Sequence, residues 1–341
     1  MCKKNIKYRE ERLGDQLFRV SDDIYRIPVP TGFAVGDVNL YFLDGPDPVL
    51  IDTGVMSDDT TKILSDSLSA INRHISDIAV ILLTHTHVDH AANARQYKMM
   101  SGARVLASSR AVRRLSNIQA TFQSDSTNYR DFFLRCGFSM DMVMKQQGLY
   151  AKLKKMYTSC PDVESLNDGE MLVAGGRTIH VHYRPGHSSS DVVFALQDQN
   201  ILFTGDHVLP HITPNPTIEM AGPGEAHRPR ALVQYQQSLL ATRDMKVSLA
   251  CPGHGALFYN LSRRCDQIID MQTKRVEEIF SLILTNGLAT YKELALKLFG
   301  HVHLWDIYLT ISEVVGACEL LEEQGRILIK KDGPVDMVSA V

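Results

Sequence analysis

The chain has 341 residues, of which 44% are hydrophobic and 22% are charged. These fractions are ordinary for a globular protein and exclude a disordered, collagen-like or disulfide-dense chain. The formal net charge of -3 gives no support to a general nucleic-acid binder, which would normally be basic.

Three features of the sequence predict a cytoplasmic location. Residues 1–12 carry charges with no apolar run behind them, so we expect no secretory signal. No apolar stretch approaches the ~20 residues of a membrane span. The cysteines are scattered without a C-x-x-C pair, which favours reduced thiols. They are Cys2, Cys136, Cys160, Cys251, Cys265 and Cys318.

The first third of the chain predicts mostly strands. The apolar run over 78–83 is typical of a strand that is buried on both faces. Turn-forming residues at 44–48 separate two apolar runs and predict a tight connection between them. In chain order, we expect strands over 18–28, 38–43 and 49–51, a helix over 58–71, a strand over 78–83, a helix over 91–101 and a strand over 104–107.

The segment 111–165 has helical periodicity and is rich in Met and aromatic residues. Between residues 111 and 160, eight basic residues stand against three acidic ones, although the whole chain is acidic. Two interpretations stay open. The aromatic residues are helix core and the lysines are solvated, or the segment forms an adaptable apolar wall whose basic rim attracts an anion.

The rest of the chain predicts a second group of strands and then a separate C-terminal unit. We expect strands over 171–173, 178–183, 192–196 and 201–204, a Pro/Gly-rich loop over 208–224, a helix over 229–243 and a strand over 247–251. The unit after residue 260 contains a helix over 262–284, a helix that begins at the capping box Thr290-x-x-Glu293, a third helix over 304–324 and a strand over 326–329.

The string His85-Thr86-His87-Val88-Asp89-His90 follows directly after the buried strand. Alternation at a strand end points His85 and His87 the same way. Because the chain then turns, Asp89 and His90 can face a neighbouring position, so one loop can serve two adjacent cations. Imidazole nitrogens and a carboxylate are ligands that suit zinc.

Three other strands are followed by a glycine and a potential ligand. Gly186-His187, Gly205-Asp206 and Gly253-His254 each come just after a predicted strand. Glycine lets the backbone turn sharply, so these side chains can point to one shared centre.

With these motifs and Asp52-Thr53-Gly54, residues 20–258 resemble the metallo-β-lactamase fold superfamily, in its glyoxalase II-like or lactamase-like hydrolase branch. The resemblance implies a mixed α/β (α+β) fold: a four-layer αββα sandwich with its site at one edge of two sheets. The catalytic domain would span 1–260, with a helical insertion at 111–165. The tail, 261–341, resembles the small winged-helix-like C-terminal domain of such hydrolases.

The resemblance also implies a set of metal ligands. His85, His87 and His187 would hold one divalent ion. Asp89, His90 and His254 would hold a second ion, and Asp206 would bridge the two. Asp52 would orient a ligand from behind. Zn²⁺ is the expected metal, although the same donors accept iron or manganese.

Departures from the family pattern narrow the chemistry. The best-known zinc β-lactamases carry cysteine near Asp206, so we do not expect penicillin cleavage. Flavin-linked di-iron members carry glutamate at the position of His87, which favours hydrolysis over redox chemistry here. The string Ser188-Ser189-Ser190-Asp191 replaces the commoner continuation after His187, so we expect different substrate contacts near this loop.

We therefore expect a hydrolase that uses a metal-bridging hydroxide, because two such cations lower the pKa of a shared water toward neutrality. Asp89 and Asp206 are the catalytic candidates that would hold the nucleophile. In the loop after Asp206, His211 could protonate the leaving group, or it could simply face solvent. His207 and Asn215 are further candidates in that loop.

The substrate is expected to be a small, anionic and partly apolar ester or thioester. The enzymatic alternative is a phosphodiesterase or ribonuclease. A third hypothesis is a nucleic-acid-binding module in the tail, but its third helix contains five acidic residues and no Lys or Arg over 304–324, so it would repel phosphate. The tail is expected to serve packing or homodimer formation, and no membrane partner is expected.

Overall fold

The computed structural model describes residues 10–341, except residues 223, 302, 303 and 305 and the side chain of residue 153. Most of the predicted charged start of the chain, and Cys2, lie outside the described residues. The other five cysteines are free and buried, as expected. Among the described residues, no helix combines the length and apolar character needed to span a bilayer.

The first sheet of the described chain has eight strands, which lie in sequence order. They are β1 (Glu11–Arg12), β2 (Phe18–Ser21), β3 (Ile24–Val29), β4 (Val38–Leu43), β5 (Val49–Ile51), β6 (Val80–Leu82), β7 (Arg104–Ser108) and β8 (Val163–Leu166). Strands β1 to β5 pair antiparallel, whereas β5 to β8 pair parallel. The parallel strands therefore end at the same edge of the sheet.

The second sheet has five strands in the described chain, in the order β13-β12-β11-β10-β9. They are β9 (Met171–Ala174), β10 (Arg177–Tyr183), β11 (Val192–Leu196), β12 (Ile201–Gly205) and β13 (Leu249–Pro252). Strands β12 and β13 are parallel, and β10 runs in their direction because β11 pairs antiparallel with both β10 and β12. The ends of β10, β12 and β13 thus lie at one edge.

Helices cover the outer faces of both sheets, and further helices form the insertion and the C-terminal unit. They are α1 (Asp58–Ser69), α2 (Val88–Ala91), α3 (Ala94–Ser101), α4 (Ser109–Ser116), α5 (Ile118–Arg135), α6 (Met140–Lys154), α7 (Ala231–Arg243), α8 (Leu261–Asn286), α9 (Tyr291–Phe299) and α10 (Ile307–Glu323). Single 3-10 turns occur at Ile75–Asp77 and Gln197–Gln199.

Three buried clusters define the layers. One cluster lies between the sheets and includes Tyr41 and Phe203, whose ring centroids are 5.1 Å apart. A second packs α1 and α3 on the first sheet, through residues such as Leu64 and Tyr97. A third packs α7 and α8 on the second sheet, through residues such as Tyr235. The predicted four-layer αββα sandwich is confirmed.

The C-terminal unit shares a core with the helical insertion. Its three-stranded sheet has the order β14-β16-β15 in the described chain, with β14 (Leu288–Thr290), β15 (Ile327–Lys330) and β16 (Met337–Ala340). Its helices bury Ile279, Leu294 and Ile311 in the same cluster as Tyr129 and Phe133 of α5. The insertion and the tail therefore stabilise each other. The capping box at the start of α9 is confirmed.

Two local predictions differ from the structure. The helix expected over 91–101 is found as α3 but begins three residues later, at Ala94, because Asn93 turns its side chain to the carbonyls of Thr53 and Val55, at 3.0 and 2.6 Å. The end of the segment 111–165 is not helical, since β8 joins the first sheet beside β7. Buried and exposed residues do not alternate along β8, so the sequence has no alternating pattern that would predict a strand there.

Candidate metal centre

The predicted ligands meet where the two sheets end. His85 follows β6, His187 follows β10, Asp206 follows β12 and His254 follows β13. These strands end at the facing edges of the two sheets, and Asn39 of β4 joins the edges through hydrogen bonds from its amide to the carbonyl oxygens of residues 252 and 255, at 2.9 and 2.8 Å. The loops after the strands thereby share one centre.

The first group of ligand atoms consists of three imidazole nitrogens. His85 Nε2 lies 3.1 Å from His87 Nδ1, and His187 Nε2 lies 3.0 Å from the same atom. Three nitrogens at these separations can face one cation together, and the geometry matches the three histidines expected for the first ion.

The second group combines a carboxylate with two imidazoles. His254 Nε2 lies 3.3 Å from Asp89 Oδ2 and 3.4 Å from His90 Nε2. Asp206 lies between the groups: its Oδ1 is 3.4 Å from His90 Nε2, and its Oδ2 is 3.7 Å from His187 Nε2. One carboxylate can therefore reach both groups of ligand atoms.

Hydrogen bonds behind four of the histidines set which nitrogen faces the centre. The Nδ1 atom of each has an oxygen partner, so it carries the proton and leaves the lone pair on Nε2 for a metal. The partners are Thr84 Oγ1 for His85 (3.0 Å), Asp52 Oδ2 for His90 (2.8 Å), the Asn215 carbonyl for His187 (2.9 Å) and the Asp37 carbonyl for His254 (2.8 Å).

Asp52 connects these partners. Its carboxylate accepts hydrogen bonds from the Thr84 backbone N–H at 2.8 Å and from Thr84 Oγ1 at 2.8 Å, as well as from His90. Asp52 is 1% exposed and adopts a φ of 61°, in the left-handed region. The carboxylate therefore holds two metal-facing histidines in place, one directly and one through Thr84.

Burial and the carboxylates set the protonation of the cluster. Burial lowers the pKa of His85 and takes that of His87 to about 3, so both are neutral at pH 7. Burial also opposes charge on His254, but Asp206 and Asp89 outweigh it and raise its pKa to about 9. For Asp206, burial is outweighed by His90 and His254, which hold its pKa well below the usual value.

The residues fit divalent cations. Asp206 Oδ1 is buried without a hydrogen-bond partner among the described residues, which is costly unless a cation faces it. A Cβ on Gly253 would lie 2.3 Å from that oxygen and 2.8 Å from His90 Cε1, so the glycine keeps this space open. Histidine and carboxylate donors in this number are typical of zinc, iron and manganese sites.

His211 is not brought together with these ligands. It is exposed and lines a separate cavity of about 390 Å³ with Met271 and Gln272 of α8. His207 is buried, with Nε2 2.8 Å from Thr242 Oγ1, away from the ligand atoms. Asn215, by contrast, supports the centre through its carbonyl.

A second cavity of about 390 Å³ opens onto the ligand cluster. His87 and Asp89 form part of its wall. Its other walls come from the helical insertion and from α10, which contributes Tyr308 and Leu309. Aromatic rings predominate: Phe33, Phe122, Tyr129, Tyr150, Tyr157 and Tyr308. A molecule in this cavity would therefore contact both an apolar wall and the candidate metal ligands.

Comparison with known families decides the classification. A family model described as the Metallo-beta-lactamase superfamily matches residues 34–254, which is more than half of the chain. The chain belongs to this superfamily.

Relatives of this metallo-β-lactamase superfamily member support an enzyme. The probable metallo-hydrolase YqjP of Bacillus subtilis is 27% identical over 307 residues, which cover 90% of this chain and 94% of that protein. Atrochrysone carboxyl ACP thioesterase of Aspergillus fumigatus is 29% identical over 157 residues, which cover 43% of this chain and 46% of that protein. The protein is therefore a metallo-hydrolase of this superfamily that acts on a small molecule.

The fold agrees with a solved structure over nearly its whole length. The metallo-beta-lactamase family protein TTHA1429 of Thermus thermophilus has a TM-score of 0.80 at 24% identity, covering 95% of this chain and 100% of that one. At this identity the likeness concerns the fold.

Several residues of this superfamily site were not found from the sequence. Thr84 and the Asp37 carbonyl orient histidines, but a threonine and a backbone oxygen carry no distinctive pattern. Tyr157 donates from Oη to the Thr86 carbonyl at 2.7 Å and so ties the insertion to the ligand loop. Glu219 and Arg114 line the cavity although they lie 105 positions apart in the numbered chain.

Proposed function

We propose that this protein is a binuclear metallohydrolase that cleaves a carboxylic ester or thioester with a partly apolar acyl group. The observation that carries the proposal is the position of the ligand cluster at the wall of an aromatic cavity, through His87 and Asp89. An acyl group that lies in the cavity would present its carbonyl to the cluster.

In this proposal the seven predicted ligands keep their expected roles. His85, His87 and His187 hold one divalent ion, and Asp206 is shared with the second. Asp89, His90 and His254 complete the second site. Zn²⁺ is the proposed metal because nitrogen donors predominate over carboxylates.

The chain's own groups then divide the chemistry. Two divalent cations, when bound, activate water at neutral pH and polarise a substrate carbonyl. Asp89 is 7% exposed and lines the cavity, so its carboxylate can accept a hydrogen bond from the attacking water. Asp206 Oδ1 has no hydrogen-bond partner among the described residues and can hold water in orientation. His211 lies in a different cavity, so the proposal gives it no part in protonating the leaving group.

Two observations favour an acyl thioester over a sugar or a phosphodiester. A relative is named as a thioesterase, and its match includes less than half of either protein. The cavity is also lined mainly by apolar side chains, six of them aromatic, which suit an apolar acyl chain better than a sugar or a phosphodiester backbone.

Contacts of α10 argue against nucleic-acid recognition by the tail. Glu319 accepts a hydrogen bond from Arg228 at 2.6 Å, and Glu313 pairs with Arg275 at 2.6 Å. Eleven residues of this helix are buried. We propose that α10 is a packing element that also forms part of the cavity wall. The homodimer, the winged-helix-like character of the tail and the cytoplasmic location stay predictions.

The test compares two substrate classes with one purified protein. We expect about two metal ions per chain by elemental analysis, and hydrolysis of an aromatic acyl thioester well above that of bis(p-nitrophenyl) phosphate. His87→Ala should abolish hydrolysis, whereas His227→Ala, which alters an exposed histidine, should not. Strong turnover of the phosphodiester alone would refute the proposal, as would full activity of His87→Ala.

A further inference from the structure

Arg114 lies on α4, which begins directly after β7 at the edge of the sheet that carries the ligands. Ser108 fixes the start of this helix: its Oγ accepts from the Ala111 N–H at 3.4 Å and donates to the Ser190 carbonyl at 2.9 Å. The helix is thus attached to the loop that follows His187. This attachment directs Arg114 into the aromatic cavity, where it shares the wall with His87 and Asp89.

The guanidinium of Arg114 has no hydrogen-bond acceptor among the described residues. Its Nε is buried without a hydrogen-bond partner in the described part of the chain, and no ion pair to Arg114 occurs there. Its carbon Cζ lies 5.7 Å from the ring centroid of Phe122, a cation–π contact. An arginine that is always charged, partly buried and without an acceptor is costly to the fold unless a ligand supplies one.

The carboxylate of Glu219 is already engaged elsewhere. Glu219 lines the same cavity, but its Oε1 accepts from Ser188 Oγ and from the Ser189 N–H, each at 2.8 Å. Its Oε2 accepts from Ser189 Oγ. Glu219 therefore lowers the electrostatic cost of the buried cation from a distance, while the donors of the guanidinium stay free.

The neighbouring basic residues differ from Arg114 in this respect. Arg110 and Arg113 on the same helix both pair with Glu225, at 2.5 and 3.1 Å, and line a different pocket. Among the described residues that line the aromatic cavity, Arg114 is the one arginine, and no lysine is present. The excess of positive charge over 111–160 thus acts in this cavity through one side chain.

We propose that Arg114 binds a carboxylate carried by the acyl part of the substrate, so that the preferred substrate is an aromatic acyl thioester with a second, remote acid group. This inference rests on the proposed function and assigns the negative charge of the substrate to its acyl group. A guanidinium can bind a carboxylate through two parallel hydrogen bonds, and removal of water by the surrounding rings strengthens them.

The test uses N-acetylcysteamine thioesters, which have no phosphate, so any preference for charge must arise from the acyl group. One substrate carries a 3-phenylpropanoyl group, and the other carries the same group with a 4-carboxylate on its ring. We expect the carboxylated thioester to have a kcat/KM at least tenfold higher with the native protein, since a hydrogen-bonded charge pair contributes about 10- to 100-fold.

Variants on the same helix isolate the residue. Arg114→Met should lower kcat/KM for the carboxylated thioester by about 10- to 100-fold more than it lowers kcat/KM for the neutral one. Arg114→Lys should keep part of the preference, because the charge remains and the planar fork is lost. Arg113→Met is the matched control and should keep the full preference, since that side chain points to another pocket.

A binding measurement separates this inference from the proposed function. Amides that replace the thioester sulfur by NH can be titrated calorimetrically whether or not the protein hydrolyses thioesters. We expect the carboxylated amide to bind at least tenfold more tightly than the neutral one, and Arg114→Met to remove the difference. Failure of both thioesters to react would refute the proposed function alone. Equal binding of the two amides, or an equal effect of Arg114→Met on both, would refute the assignment of Arg114.

Discussion

Replacement of Asp52 by asparagine would test whether its carboxylate orients the histidines that face the metal. Asparagine has nearly the same shape, and it tolerates the left-handed backbone that Asp52 adopts, with a φ of 61°. The change therefore removes the negative charge and one acceptor without forcing the chain to move, which an alanine at this φ would not guarantee.

The structure gives the direction and the size of the effect. An asparagine carbonyl can still accept from the Thr84 N–H, now at 2.8 Å from Asp52 Oδ1, but its NH₂ would then face His90 Nδ1, which lies 2.8 Å from Oδ2. Two donors cannot face each other, so His90 would move its proton to Nε2, the metal-facing nitrogen. We expect metal affinity to fall by about 10- to 100-fold, or about 1.4–2.8 kcal/mol.

The assay is a titration of chelator-stripped protein with Zn²⁺ in competition with a chromophoric chelator. Asp44→Asn is a suitable control, because Asp44 pairs with Arg73 at 2.8 Å at the opposite end of β5 and should leave metal affinity unchanged. Metal-free unfolding curves check that both variants are folded. Native Zn²⁺ affinity in Asp52→Asn would refute the orientation argument.

Three further results are expected. Removal of metal by a chelator should abolish hydrolysis and lower the melting temperature, with recovery on addition of Zn²⁺. A metal ion whose free concentration is 100 times its Kd stabilises the fold by about 2.7 kcal/mol. An unchanged melting temperature would therefore count against a bound metal. Gly253→Ala should reduce metal content, because its Cβ would lie 2.3 Å from Asp206 Oδ1, and overpacking should cost about 1–3 kcal/mol of unfolding free energy. A normal metal content in this variant would contradict the close approach. Thr290→Ala should lower the unfolding free energy by about 1 kcal/mol, since Thr290 Oγ1 accepts from the Glu293 N–H at 3.1 Å, and should leave kcat unchanged.

The structure supports parts of both interpretations of the segment 111–165, as helix core and as a cavity wall. Phe122 and Tyr129 are 4 and 5% exposed and belong to buried clusters, as the core interpretation expects. Both also line the cavity beside the ligands, as the substrate interpretation expects. Lys145 pairs with Asp141 on the surface, so it is no part of a rim around the cavity. Periodicity could not separate these uses, because one ring can pack with one face and line a cavity with another.

The sequence alone predicted the side chains that meet at the candidate centre. Each follows a strand end after a short turn, and the direction of a side chain there depends on alternation and on glycine, which are local properties. His211 satisfied the same reasoning about its loop, yet the path of that loop carries it to a different cavity. Local sequence therefore predicted which candidate ligands meet, but it did not predict the path of the loop that carries His211.

Only the tertiary structure decided what surrounds the ligands. The cavity wall joins Arg114 of α4, Glu219 of a loop and Tyr308 of α10, and nothing in the sequence relates positions so far apart. Whether a charge is paired or free is likewise a property of its neighbours in space: Arg113 and Arg114 are adjacent in the chain, but an ion pair is found for Arg113 and not for Arg114 in the described residues. The packing of helices from three parts of the chain sets that difference.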